Sequence, residues 1–198
     1  KGVFSPWMKL SFPAGLGVKV RAIARFYLLS TSPHFELYIT PLNIDPEKPA
    51  LPVSHPFIYS SYLAKLLGSY VTLGEANDTW ALNEGVLPEQ AFLDLAYSFH
   101  QETEKILFNA LSRTRKGLVA CWFETSDSLQ HMFFRYLDKS HPALRTTAHL
   151  KDGATVIETL YKKLDALAGQ VLEQCNDRTC LIIMSDHGFK SFRRGDRK

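Results

Sequence analysis

Apolar and polar positions change period several times along this chain, and each change predicts an element. From residue 17 to 44 the period is near two. Val18, Val20, Ala22 and Ala24 lead into Phe26-Tyr-Leu-Leu, Ser30-Thr-Ser-Pro33 interrupts, and Phe35-Glu-Leu-Tyr-Ile-Thr resumes. Alternation of this kind places successive side chains on opposite faces of a strand, and two such runs about a short break predict a hairpin. The stretch 43–56, with Pro46, Pro49, Pro52 and Pro56, reads as an extended connector. The pattern then turns helical. A short helix fits 56–68 and a longer one 88–113, where Phe92, Leu95, Ala96, Phe99, Ile106, Leu107, Ala110 and Leu111 form one stripe. Pro88 suits the first turn, and Glu102, Glu104 and Lys105 fall on the other side of the helix.

The last third of the chain has a different texture. Residues 118–123 and 181–184 are continuous apolar runs, rich in β-branched or aromatic side chains, and predict buried strands. Between them a helix beginning near 144 or 152 and ending near 173 would turn Val156, Leu160, Leu164, Leu167, Val171 and Leu172 inward. Strand, helix, strand over this distance predicts a right-handed parallel crossover, with both strands ending at one edge of a sheet. The fold class expected is therefore α/β.

That edge is where the chemistry lies. Asp127-Ser-Leu-Gln-His131 follows the first run and Ser185-Asp-His-Gly-Phe189 follows the second. If the chain turns helical after 123, positions 127 and 131 share a face, so carboxylate and imidazole point together. Asp186 and His187 are adjacent and would diverge in a strand; both reach one ion only if the chain turns, and Gly188 would permit that turn. Mixed carboxylate and imidazole ligation suits Zn²⁺, Mn²⁺ or Fe, whereas Mg²⁺ and Ca²⁺ prefer oxygen. Two ions about 3.5–4 Å apart could clamp a phosphoryl group. Taken alone, an Asp-x-x-x-His is ordinarily a pair of solvated helix residues, and an Asp-His-Gly can be a capped turn. It is their pairing at two strand ends that points to a two-metal site.

The stretch from Trp122 through Asp127, His131 and Asp138 to His141-Pro142 resembles the central motif of the alkaline phosphatase superfamily, in its type I phosphodiesterase/nucleotide pyrophosphatase branch. The nearest likeness is to the phosphohydrolase/phosphomutase group of that superfamily. Leu181 to Arg194 is similar to the group's second metal motif, and Phe35 to Ile44 and Thr79 to Gly85 also resemble it. The resemblance implies that Asp127 and His131 ligate one divalent metal and Asp186 and His187 a second, with Zn or Mn as the ions. It implies part of an alkaline-phosphatase-like parallel-sheet sandwich, with 1–115 a β-rich and helical insert or cap and 116–198 part of the metallohydrolase core. The activity implied is metal-dependent hydrolysis of a small-molecule phosphate ester.

The chain departs from the group at Glu124-Thr-Ser-Asp-Ser128, where Asp-Gly-Thr-Asp-Arg is common. The family's Thr or Ser nucleophile and a further metal-binding His have no counterpart in it. The expectation is an internal piece of a longer enzyme, inactive alone, with Thr125 and Ser126 serving turn and capping duties. Two alternatives share these features: a non-catalytic scaffold or interaction module, and a metal-dependent phosphomutase.

Composition trims the remaining classes. A net charge of +3 over 198 residues, part of it in Lys190, Arg193, Arg194, Arg197 and Lys198, gives no basic stripe of a nucleic-acid binder. The basic end reads as a solvated tail. No apolar run is long enough to span a membrane. Cys121 reads as a core residue; Cys175 and Cys180 read as free thiols about a turn, which leans towards a reducing, cytoplasmic compartment. Asn77-Asp-Thr79 matches a glycosylation acceptor. His34, His55, His100, His141 and His149 lack ligand-spaced partners, and His141, before Pro142, reads as a turn residue.

Overall fold

The computed structural model describes residues 2–145 and 150–190, without the side chain of Arg145. His149 and the basic end Arg193, Arg194, Arg197 and Lys198 lie outside the described residues. The chain forms two compact units, Lys1–Asn109 and Ala110–Lys198.

In the first unit, β1 (Met8–Pro13) pairs antiparallel with β2 (Lys19–Ala24), and β2 pairs antiparallel with β5 (Asn43–Ile44). The turn between β1 and β2 closes through Ala14 N–H to Val18 O at 2.9 Å, with Gly15 and Gly17 both at positive φ, a region that other residues enter only at a cost. β3 (Phe26–Ser30) and β4 (Glu36–Ile39) form the hairpin that the period-two pattern predicts. Inside the proline-rich connector, β5 is fixed by the side chain of Asn43. Its Oδ1 accepts from the amides of Thr72 (2.7 Å) and Leu73 (3.1 Å), while Thr72 Oγ1 donates to Ile44 O at 2.9 Å.

Three helices follow, the third ending four residues past Asn109. α1 (Ile58–Leu67) ends at Gly68, whose φ of 91° breaks the helix and whose N–H bonds Ala64 O at 3.1 Å. α2 (Thr79–Asn83) is capped by Asp78, which accepts from Ala81 N–H at 2.9 Å and from the Tyr38 hydroxyl at 2.9 Å. α3 (Glu89–Arg113) buries Ala91, Phe92, Leu93, Leu95, Ala96 and Phe99. Leu95, Phe99 and Ala76 centre a cluster completed by Phe4, Trp7, Val71 and Leu73.

Glu102 departs from the solvent-face expectation. Its side chain is only 11% exposed because Arg25 (2.5 Å), Trp7 Nε1–H (2.8 Å) and Val71 N–H (2.8 Å) all converge on the carboxylate. The Arg25 guanidinium also lies 4.8 Å from the Trp7 ring centre.

The second unit is built on α4 (Thr125–Phe133) and α5 (Val156–Leu172). Leu129 and Phe133 from α4 and Val156, Ile157, Leu160, Leu167 and Val171 from α5 are buried. Short 3₁₀ turns at Phe134–Leu137, Pro142–Arg145 and Gly153–Thr155 join the two helices. Leu172, expected inward, is 56% exposed at the end of its helix.

The buried strands expected at 118–123 and 181–184 are not present. Neither run belongs to a sheet, and Leu118, Trp122, Ile182, Ile183 and Met184 are exposed. A strand needs a hydrogen-bonding neighbour as well as an apolar sequence, and among the described residues no strand pairs with either run. Among the described residues the parallel crossover is therefore absent too, and all strand pairs are antiparallel. What stands is a mixed α/β chain with small sheets. The same correction applies to Cys121, which is exposed rather than part of a core.

Candidate metal centre

The site grows from the first turn of α4. The chain enters that helix with Ser126 Oγ donating to Phe123 O at 3.1 Å, while Thr125, Ser128, Leu129 and Phe133 take the buried face. Asp127 and His131 are left on the open side, one helical turn apart. The condition for this pairing, a helix beginning just after 123, holds in α4. Gln130 locks the helix in place: its Nε2–H donates to Ser126 O at 2.8 Å and its Oε1 accepts from the Tyr161 hydroxyl of α5 at 3.1 Å.

His131 Nε2 stands 3.5 Å from Asp127 Oδ1, and His187 Nε2 stands 3.5 Å from that same oxygen. His187 Nε2 is 3.7 Å from Asp186 Oδ2. All four residues named from the sequence thus lie in one neighbourhood, with the Asp127 carboxylate approached by two imidazoles. Asp186 is the outermost, with its side chain 89% exposed.

The segment carrying the second pair bends at Asp186, not at Gly188. Gly188 is not at positive φ, and a Cβ built there would meet nothing within 4 Å. Local hydrogen bonds shape the bend: Ser185 Oγ donates to His187 O (2.7 Å), His187 N–H donates to Asp186 Oδ1 (3.1 Å), and His187 Nδ1 lies 3.1 Å from Gly188 O. This last contact suits an Nδ1–H donor, the tautomer that leaves the Nε2 lone pair facing Asp127.

Phe189 is the residue whose role the sequence left open. Its ring centre is 4.7 Å from the His131 ring, edge to face, 5.3 Å from the His187 ring and 6.2 Å from the Phe134 ring. An aromatic directly after Gly188, and another three residues beyond His131, were the available signals.

Among the described residues no group of three or more His, Cys, Asp or Glu side chains is assembled closely enough to hold a metal ion as it stands. The other histidines are elsewhere. His34 and His55 are exposed, and His100 is buried in α3 with Nε2 3.2 Å from Glu104. His141 shapes a turn, its N–H donating to Asp138 O (2.9 Å) and its Nδ1 accepting from Ala143 N–H (3.2 Å). The three cysteines are free, and Asn77 is buried. Among the described residues no helix is long and apolar enough to cross a membrane.

A family model described as type I phosphodiesterase / nucleotide pyrophosphatase matches residues 24–198. No curated protein and no solved structure matches the chain.

Proposed function

The chain belongs to the type I phosphodiesterase/nucleotide pyrophosphatase family, a branch of the alkaline phosphatase superfamily, and from that premise we propose that its four clustered ligands serve metal-dependent hydrolysis of a phosphate ester. Family membership points to phosphoester hydrolysis. The metal requirement is our reading of the site: Asp127 and His131 hold one divalent ion, Asp186 and His187 a second, with Zn²⁺ or Mn²⁺ as the ions suited to this donor set.

The observation that carries the reading is the clustering of two carboxylates with two imidazoles at separations of 3.5 to 3.7 Å. Two donors that each lie about 2.0–2.2 Å from a tetrahedral ion are about 3.3–3.5 Å from one another. Within the two assigned pairs, His131 Nε2 to Asp127 Oδ1 is 3.5 Å and His187 Nε2 to Asp186 Oδ2 is 3.7 Å, long for a charge-assisted hydrogen bond and near the spacing of neighbours on an ion. This spacing supports reading the four side chains as metal donors. Bound ions would supply Lewis acidity and lower the pKa of a nucleophilic hydroxyl or water.

The chain's own residues do the positioning. Asp127 sits in the first turn of α4, where the helix dipole favours a carboxylate. The Gln130 contacts to Ser126 and Tyr161 hold the turn that carries it. Asp186 stays open to solvent, where a ligand can be engaged without desolvating a buried charge. No residue here is assigned as nucleophile, and the substrate class proposed is a small phosphate ester.

Calorimetric titration with Zn²⁺ and Mn²⁺ tests this, using the intact chain, Asp127→Asn/His131→Ala and Asp186→Asn/His187→Ala. We expect each double variant to lose binding, and inorganic phosphate to bind the metal-loaded chain but not the metal-free one. Tight metal binding retained by both double variants would overturn the assignment.

A further inference from the structure

We propose that Phe189 is a positioning residue, the anchor that brings the His187 imidazole to Asp127 and sets the angle of the His131 ring. The inference rests on the reading of these residues as metal ligands and adds a part to it. Residues 182–188 and 190 are all exposed, and Phe189 alone among them is half-buried. The hydrogen bonds of Ser185, Asp186 and His187 lie within the segment and give it shape without fixing it to anything else. Besides the 3.5 Å approach of His187 to Asp127, attachment comes from the Phe189 ring, which meets His131 of α4 and Phe134, three residues further on in the 3₁₀ turn that continues the helix.

The geometry is specific to an aromatic side chain. The His131 and Phe189 rings meet at 79°, the edge-to-face arrangement that aromatic quadrupoles favour, and the 53° tilt to His187 lies between the stacked and perpendicular extremes. One ring therefore touches both imidazoles, neither of which is otherwise enclosed: their side chains are 55% and 51% exposed. An aliphatic residue could fill part of the space but would leave both imidazoles free to turn about χ2, a broad torsion. Residues that orient a ligand without binding the ion tune affinity by about 10–100-fold.

The test compares the intact chain with Phe189→Ala, Phe189→Leu and Phe189→Tyr, using two readouts. In metal-free protein, NMR should show nuclear Overhauser contacts from the Phe189 ring to the ring protons of His131 and His187, and from the His187 ring to the Asp127 β protons. We expect Phe189→Ala and Phe189→Leu to lose the His187–Asp127 contact, Phe189→Tyr to keep it, and contacts between Leu129 and Leu160 to survive in all. In calorimetry, Zn²⁺ affinity should fall by about 10–100-fold in the Ala and Leu variants and by less than threefold in the Tyr variant. A His187–Asp127 contact that persists in Phe189→Ala overturns the anchor, as does unchanged Zn²⁺ affinity. If the intact chain binds no Zn²⁺, the metal assignment fails, and the metal-free contacts alone decide for or against the anchor.

Discussion

Gly153 sits so close beneath a ring that a single methyl group separates a packed turn from a clash. A Cβ built there would lie 2.6 Å from Cε1 and Cζ of Tyr136. The ring has little freedom to retreat, since its hydroxyl accepts from Leu150 N–H at 3.0 Å and its face stacks on Phe133 at 6.1 Å. Gly153→Ala should therefore cost about 1–3 kcal/mol, the usual penalty for forcing an extra carbon into a filled space. Urea denaturation checks it, and an unchanged midpoint would show that Tyr136 gives way without loss. At this scale the sequence was a partial guide. It marked glycines without saying which one is sterically required: Gly188 was expected to shape the site and proves replaceable in space, whereas Gly153 drew no notice. The metal-ligand candidates were legible because their logic is local, a one-turn spacing in one case and adjacency in the other. That His187 approaches Asp127 as well as its neighbour Asp186 is a long-range relation, and no spacing rule contains it.

Elements show the same division between local and distant causes. α1, α3, α5 and the β3–β4 hairpin follow from periodicity that a single stretch of sequence carries, whereas α4 is only a condition that the Asp127–His131 spacing sets. β1 was missed although Met8, Leu10 and Phe12 alternate with Lys9 and Ser11, because it lies before the stretch where alternation is sustained. Glu102 was misplaced because its partner Arg25 is 77 residues away. That carboxylate joins α3 to three other segments, through Trp7, Arg25 and Val71, and this has a consequence for pH. Burial raises the Glu102 carboxyl above its ordinary range, and the Arg25 charge with the three hydrogen bonds only partly opposes the shift. The folded chain thus holds this proton to higher pH than the unfolded chain does. The stabilising contribution is complete below the ordinary carboxylate range and is lost as pH rises through the raised folded value. Denaturation of the intact chain and Glu102→Gln across mildly acidic pH should show the intact chain losing stability relative to the variant as pH rises. A constant difference between the two would refute the shift.

Over the whole molecule, charge says little: a net +3 is modest, and most of the basic end lies outside the described residues. The α/β class was legible, while the parallel crossover was not, because continuous apolar runs announce a need for neighbours without naming them. Those runs, 118–123 and 181–184, carry Leu118, Trp122, Ile182, Ile183 and Met184 at 63–88% exposure. In colloidal terms this makes them the adhesive part of the chain. With Thr179, Cys180 and Ser185 about it, the run 181–184 makes a seven-residue window that has no proline and no charge and two β-branched residues at its centre, the signature of a segment that templates intermolecular cross-β stacking. Ile183→Lys should lengthen the lag before thioflavin-positive aggregates form by severalfold. Ile58→Lys, at an equally exposed isoleucine in α1, should not. The ceiling on soluble concentration would then be set by the four residues 181–184, directly ahead of Asp186 and His187.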